Sequence, residues 1–330
     1  MKISACMIIK NEAEMLPRCL RSIRWVDEII IVDTGSTDRS IEIAKKFGVS
    51  VYECPWQDNF SLHRNQSIEH CTGDWFLIID ADEELVPMTD PKNLREYFDS
   101  IPPDISALLA HTTEIDNGEK TSSWFSYKFF RKKDFIEFQQ IVHNEPVFKN
   151  RSAITDIKFN HFGYSLSADK MAMKTKRSEN LLRQRMKDDP NDHVAVLYMM
   201  QTFFNSGRYA EARRYGFEYR RLAKKNNDQR YDEIAYVFMC MTYYQVEDYN
   251  AAYLLSESAL NTYPNNIDLL YVMTKIAFAL GNKGLSEKYA NKYFLEFMKT
   301  RNSKPENVIY HTANDRAMAE ITKLLHELWG

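Results

Sequence analysis

The amino-acid sequence predicts an α/β fold, a parallel sheet with helices on both faces, followed by an all-α domain of helical repeats. Two patterns predict it. Through the first half, short apolar runs alternate with helical segments of about a dozen residues, as in strands joined by crossover helices. From about Lys170 onward strand signals vanish and a helix-pair motif recurs. A chain of 330 residues has room for two domains, and 27% charged with 44% hydrophobic residues is an ordinary globular composition.

Ile3–Ile9 reads as a buried strand and Glu12–Ile23 as a helix, with Leu16, Cys19, Leu20 and Ile23 at helical spacing. Glu28–Val32 is a second strand, ending at Asp33, and a helix capped within Ser36-Thr37-Asp38 runs on to Gly48. Ser50–Glu53 is a third strand, a helix around Leu62–His70 follows, and Trp75–Ile79 is a fourth strand. Ligands of such sheets bind beyond the carboxyl ends of the strands, where Asn11, Asp33 and Asp80 all fall.

In the second half, Phe203–Tyr215 (FFNSGRYAEARRY) matches Tyr243–Leu255 (YYQVEDYNAAYLL), and Phe278–Ala290 (FALGNKGLSEKYA) is a looser third copy. Tyr209 and Tyr249, like Ala212 and Ala252, stand about 40 residues apart, and Glu247 and Gly281 about 34, periods of helix-pair solenoids. Pro190 and Pro264 precede Gly207 and Gly281 by equal intervals, at the break before each new pair. Three tetratricopeptide-like pairs are expected, with the repeated Tyr and Ala as knob and hole. Such a stack offers a concave surface to an extended partner, and homodimerisation is the competing role.

Cys6, Cys19, Cys54, Cys71 and Cys240 show no C-x-x-C pair, which argues for free thiols in a reducing compartment. The apolar run Ile3–Ile9 is too short for a signal peptide, and no run approaches the roughly 18 apolar residues of a membrane span. Cytoplasmic residence is expected, with at most peripheral membrane contact. A net charge of −3 gives no general attraction to nucleic acid. Lys170, Lys174, Lys176, Arg177, Arg183, Arg185 and Lys187 form a local basic cluster, read as a solvated helix face or a contact for an anionic group.

The stretch Trp75–Leu85, WFLIIDADEEL, runs apolar and then gathers the carboxylates of Asp80, Asp82, Glu83 and Glu84. An acid-x-acid triplet is common by chance, so Asp80-x-Asp82 gains its weight from terminating a strand at the ligand crevice. Hard cations such as Mg²⁺ and Mn²⁺ take carboxylate oxygens and bring substrate phosphates with them. The glycine-rich phosphate loops G-x-x-x-x-G-K-[ST] and G-x-G-x-x-G are absent, and Glu84 stands where an aspartyl-phosphate phosphatase would want Thr or Val. A bound phosphate would therefore rely on the metal, helped by cations such as Arg64 or Arg131.

In order and spacing, CMIIKNEAEMLPRCLRSI, IIIVDTGSTDRS and WQDNFSLHRNQSIEHCTGDWFLIIDADEEL resemble the family 2 glycosyltransferases, in the branch whose first strand ends in Lys-Asn-Glu. The resemblance covers about residues 1–165. It implies the GT-A fold, with 1–168 as catalytic domain, 169–190 as helical linker and 191–330 as tetratricopeptide-like repeats. It also implies inverting transfer of a sugar from a nucleotide-diphosphate donor, with a UDP-sugar favoured. The acceptor would be a protein, peptide or cell-envelope glycan, held by the repeats. By the same resemblance Asn11 and Glu12 line the nucleoside pocket, Asp33 hydrogen-bonds the base, and Arg64 lies beside base and diphosphate. Asp80 would hold the ribose or the metal's water shell, Asp82 would ligate Mn²⁺ or Mg²⁺, and Arg131 would clamp the diphosphate.

Inverting transfer needs a base on the acceptor side. Phe138–Phe148 (FQQIVHNEPVF) occupies the place of the family's His-Glu element, here interrupted by Asn144. Glu145 is the first candidate, then Asp116 and Glu83. His143 is either an orienting group or a buried, hydrogen-bonded histidine between strands. His161 would complete the metal coordination or serve a turn with Gly163, and Trp56, Phe60 and Trp124 would stack a sugar or fill the core. Two rival readings stand. A sugar nucleotidyltransferase would want a glycine-rich loop where KNEAEML stands, and a catalytically silent adaptor would use only its repeats.

Overall fold

The computed structural model describes residues 1–87, 91–116, 118–163, 168–302 and 315–329. The chain forms two compact units, Met1–Leu166 and Ser167–Gly330. The first opens with β1 (Ile3–Ile9), α1 (Leu16–Ser22), β2 (Glu28–Asp33), α2 (Ser40–Lys46), β3 (Ser50–Glu53), α3 (Phe60–Glu69) and β4 (Trp75–Ile78). It continues with β5 (Glu83–Leu85), α4 (Pro91–Ser100), β6 (Ile105–Asp116), β7 (Glu119–Arg131), β8 (Phe135–Gln139), β9 (Glu145–Phe148) and β10 (Arg151–His161).

Eight strands make one sheet in the order β3-β2-β1-β4-β7-β6-β10-β5, and β8-β9 form a separate hairpin. The sequence grammar implies a parallel sheet, and β1 to β4 are parallel as expected. Beyond β4 the sheet is mixed: β7 is antiparallel to β4 and β6, β10 is parallel to β6, and β5 is antiparallel to β10. Asp33, Asp80, Asp116 and His161 therefore lie at or just past the carboxyl ends of strands that run the same way.

Alternation along the strands builds both faces. Ile3, Ala5, Met7 and Ile9 of β1 pack with Leu16, Cys19 and Leu20 of α1 and with Leu94 and Phe98 of α4. Cys6, Ile30, Phe76, Ile78 and Phe130 face the other way, onto Ile68 of α3 and Phe138 of the hairpin. Glu28 ties the amino ends together, accepting from Lys2 Nζ at 3.0 Å and from the hydroxyls of Ser4 and Thr72.

Three local expectations shift, each for a local reason. Helix α1 starts at Leu16 because Asn11 adopts φ 58° and the Glu12 amide donates to Ser40 Oγ at 2.7 Å, while Pro17 suits a first turn. Helix α2 starts at Ser40 because the Asp38 carboxylate accepts from the amides of Ser40 (2.9 Å) and Ala13 (3.1 Å). Helix α3 starts at Phe60, its cap being Asn59, whose Oδ1 accepts from Leu62 N at 2.9 Å. The expectation of five free thiols is also corrected: Cys6 and Cys71 form a disulfide inside the core, and Cys19, Cys54 and Cys240 are free.

The second unit is all-helical: α5 (Ala168–Asp188), α6 (His193–Asn205), α7 (Tyr209–Asn226), α8 (Asp232–Gln245), α9 (Tyr249–Thr262), α10 (Ile267–Ala279), α11 (Lys283–Asn302) and α12 (Asp315–Trp329). The repeat is visible in the backbone. Gly207, Glu247 and Gly281, which the sequence aligns, all adopt left-handed φ values of 72°, 60° and 70° in the turns inside the pairs. Ala212, Ala252 and the equivalent Ser286 are each fully buried, small residues where neighbouring helices approach. The basic cluster on α5 is partly spent internally, since Arg183 and Arg208 both pair with Glu179, and Arg185 pairs with Asp192. Among the described residues no helix is long and apolar enough to cross a membrane.

Candidate functional site

The loops after β1 and β2 form one frame. Asn11, in the left-handed conformation that Asn tolerates, accepts through Oδ1 from the amides of Thr37 (2.7 Å) and Asp38 (3.3 Å). Its own amide donates to Ser36 Oγ at 2.9 Å. Asp33 Oδ2 accepts from Gly35 N and Ser36 N, both at 2.9 Å, whereas its Oδ1 is buried and has no hydrogen-bond partner. A carboxylate oxygen left in that state is costly unless something donates to it. The chain after β3 closes this side, with Cys54 N donating to Asp33 O and Trp56 N to Thr34 O.

The acid cluster past β4 is divided among three cations. Asp80 accepts from Arg64 of α3 at 2.9 and 3.2 Å. Burial works against its charge, but Arg64, Lys128 and His161 together hold the carboxyl below its usual range. Glu83 is buried with Lys128 of β7, at 2.5 and 2.6 Å, and its Oε2 accepts from Asp80 N at 3.0 Å. Asp82 Oδ2 faces His161 Nε2 at 3.5 Å, and His161 Nδ1 is bonded to Glu114 of β6. Burial lowers the His161 pKa, and hydrogen bonds to Asp82 and Glu114 outweigh that, pushing it up to about 10.

Phe162 N donates to Asp82 O at 2.9 Å, which fastens the acidic turn to the end of β10. Gly163 lies tight against the pair: a Cβ there would stand 2.6 Å from His161 Nε2 and 2.7 Å from Asp82 Oδ2. Only glycine permits that approach.

The residues fit a divalent cation in their donor chemistry. A carboxylate oxygen and an imidazole nitrogen face one another, and the ring's other nitrogen is already engaged. Among the described residues no group of three or more His, Cys, Asp or Glu could hold a metal. Such a pair would need further oxygens from a bound ligand, as Mg²⁺ and Mn²⁺ commonly take from phosphates.

Other expected residues lie elsewhere. Arg131 pairs in register with Trp75, the first residue of β4, so it stands at the amino end of that strand, about 17 Å along from Asp80. Its guanidinium packs 4.5 Å from the Trp75 ring centroid and donates to the carbonyls of Ile105 and Pro102. It supports the end of the sheet opposite Asp80, which corrects the diphosphate-clamp reading. Glu145 is exposed at the start of β9, opposite Gln139, in a hairpin held to α3 by Asn65, which bonds both the amide and the carbonyl of Phe138. His143 is exposed, with φ 49°, in the turn of that hairpin, so it is no buried histidine between strands. Asp116 is part-buried at the end of β6. Trp124 sets its edge against His161, with centroids 5.8 Å apart, while Trp56 stacks on His63 and meets Phe60 edge-on.

Glu114 and Lys128 were not among the expected site residues. Glu114 follows the polar stretch His111-Thr112-Thr113, so it lacks the adjoining apolar run that marks Asp80.

The description Glycosyl transferase family 2 matches residues 4–153. The match falls within the first unit and takes in most of it, so that unit is similar to a family 2 glycosyl transferase domain. The chain is 35% identical over 204 residues to a TPR repeat-containing protein of Synechococcus elongatus, covering 58% of this chain and 49% of that one. It is 28% identical over 287 residues to the SPbeta prophage-derived glycosyltransferase SunS of Bacillus subtilis, covering 83% and 66% respectively. The match thus spans about half of the first relative's length and just under two thirds of the second's. Among solved structures, S. aureus TarS is similar over 77% of this chain and 54% of that one, at 13% identity and a TM-score of 0.43. The first unit is followed by the all-helical unit, whose helix pairs fit the tetratricopeptide-like expectation.

Proposed function

We propose that this protein transfers a sugar, with inversion at the anomeric carbon, from a nucleotide-diphosphate donor to a protein, peptide or glycan acceptor. The donor favoured is a UDP-sugar. The observation that carries the proposal is the placing, at or past the carboxyl ends of β2, β4 and β10, of Asp33, Asp80 with Arg64, and Asp82 with His161. The unpartnered Asp33 Oδ1 suits a base ring N–H, as uracil offers.

Asp82 and His161 would hold Mn²⁺ or Mg²⁺, which when bound neutralises charge on the departing diphosphate. The chain's own groups do the rest. The Arg64 guanidinium keeps Asp80 ionised and adds positive charge beside the pocket, its Nε being buried without a partner. The Asn11–Ser36–Thr37 frame fixes the nucleoside side. On the acceptor side a carboxylate takes the proton of the attacking hydroxyl or thiol as the bond to the anomeric carbon forms. Glu145 is the first candidate for that base and Asp116 the second, while Glu83, already gripped by Lys128, is the least suited. The helical unit is the candidate surface for the acceptor.

Calorimetric titration of the full chain with UDP, with and without Mn²⁺, and a donor-hydrolysis screen over common nucleotide sugars test the reading. Metal-dependent UDP binding and hydrolysis of one donor are expected, and Asp82→Asn should remove about 10²-fold or more of that turnover with little change in stability. Absence of any nucleotide binding would favour the adaptor reading instead.

A further inference from the structure

We propose that Glu114 is a positioning residue for the divalent cation assigned to Asp82 and His161: it grips the imidazole at Nδ1 and thereby presents Nε2 to the metal. The inference rests on the reading of those two residues given above. Glu114 and His161 are register partners on the adjacent parallel strands β6 and β10. The contact is therefore set by sheet geometry, which holds a side chain more firmly than a loop does. The Glu114 carboxylate is 4% exposed; one oxygen bonds His161 Nδ1 and the other is buried without a hydrogen-bond partner. A scaffold role alone would be served better by an apolar residue, because an acid in that position keeps an unsatisfied oxygen in the core.

The ring has two nitrogens and a carboxylate facing each. Nδ1 is held by Glu114, so Nε2, which faces Asp82 Oδ2 at 3.5 Å, is the nitrogen on which a cation would replace the proton. Two further contacts stop the ring from turning over. Trp124 meets it edge-on at 76°, and Gly163 packs so close beside it that a Cβ there would stand 2.5 Å from His161 Cε1. Glu114 also adds negative charge behind the ring, which raises its basicity toward a cation.

The test is Mn²⁺ affinity in the full chain, read from the electron paramagnetic resonance signal of free Mn²⁺ at saturating UDP. UDP affinity without metal and cooperative unfolding are the controls. Glu114→Ala is expected to weaken Mn²⁺ binding about 10- to 100-fold. Glu114→Gln, whose amide oxygen still accepts from Nδ1–H, should lose less but still bind measurably more weakly than wild type. Metal-free UDP binding should be unchanged in both. Wild-type Mn²⁺ affinity in Glu114→Ala, while Asp82→Asn loses the metal, overturns the role of Glu114 and leaves the metal site standing. Should Glu114→Ala fail to fold, wild-type affinity in Glu114→Gln overturns it equally. If the wild-type chain binds no Mn²⁺, or Asp82→Asn binds it undiminished, the metal reading falls and this proposal with it.

Discussion

Lys128 and Glu83 show how much a single pair can carry. Their side chains are 8% and 4% exposed and in direct contact, so each charge is tolerable only because of the other. Lys128→Met should cost about 3–5 kcal/mol in urea denaturation, because it strands a buried carboxylate. Adding Glu83→Gln should recover most of that loss, since an amide oxygen can still accept from Asp80 N. A double variant less stable than the single would refute this account. Gly163→Ala is expected to abolish metal-dependent UDP binding without unfolding the domain, since the new methyl collides with side-chain atoms of both expected ligands. Equal Mn²⁺ titrations for the alanine variant and wild type would show that the tight approach is incidental. Legibility also divides at this scale. Asp33, Asp80 and Asp82 stood out because each follows an apolar run that is complete within a few residues. Glu114 and Lys128 did not, because the partners that give them meaning lie 47 and 45 positions away.

The elements record a similar division. Strands β1 to β4 were readable because their hydrophobic runs are short, bounded and separated by helices. The long strands β6, β7 and β10 mix polar and apolar residues, and antiparallel pairing of β7 between β4 and β6 follows from no local signal. In the helical unit the repeat gives a sharp test. Glu247 holds the left-handed position that glycine holds in the other two pairs. Glu247→Gly should therefore raise stability by about 1 kcal/mol in chemical denaturation, and Gly207→Ala should lower it by a similar amount. The clasp at Glu28 supplies a pH dependence. Burial opposes its charge, yet bonds from Ser4, Thr72 and Lys2 bring its pKa from 4.5 down to about 2. Its folded-state pKa lies below the unfolded one, so its contribution is complete above about pH 4.5 and drains away as pH falls toward 2. In Glu28→Gln the unfolding midpoint should fall less steeply across that window than in wild type.

At the scale of the molecule, each compact unit has its own core: the two faces of the sheet in one, and a cluster around Leu269, Met273 and Tyr293 in the other. Residues 168–330 expressed alone should give a helical circular dichroism spectrum and a cooperative melt. A non-cooperative melt would mean that the second unit depends on the first. The family match stops at residue 153, inside β10, whereas the strand runs on to His161 and provides the rungs on which β5 hangs. Anyone trimming this domain to its recognisable part would therefore amputate the last inch of one ribbon. With it would go the imidazole, the glycine beside it and the anchorage of the acidic turn, leaving a fragment that keeps its signature without the pair proposed to hold the cation.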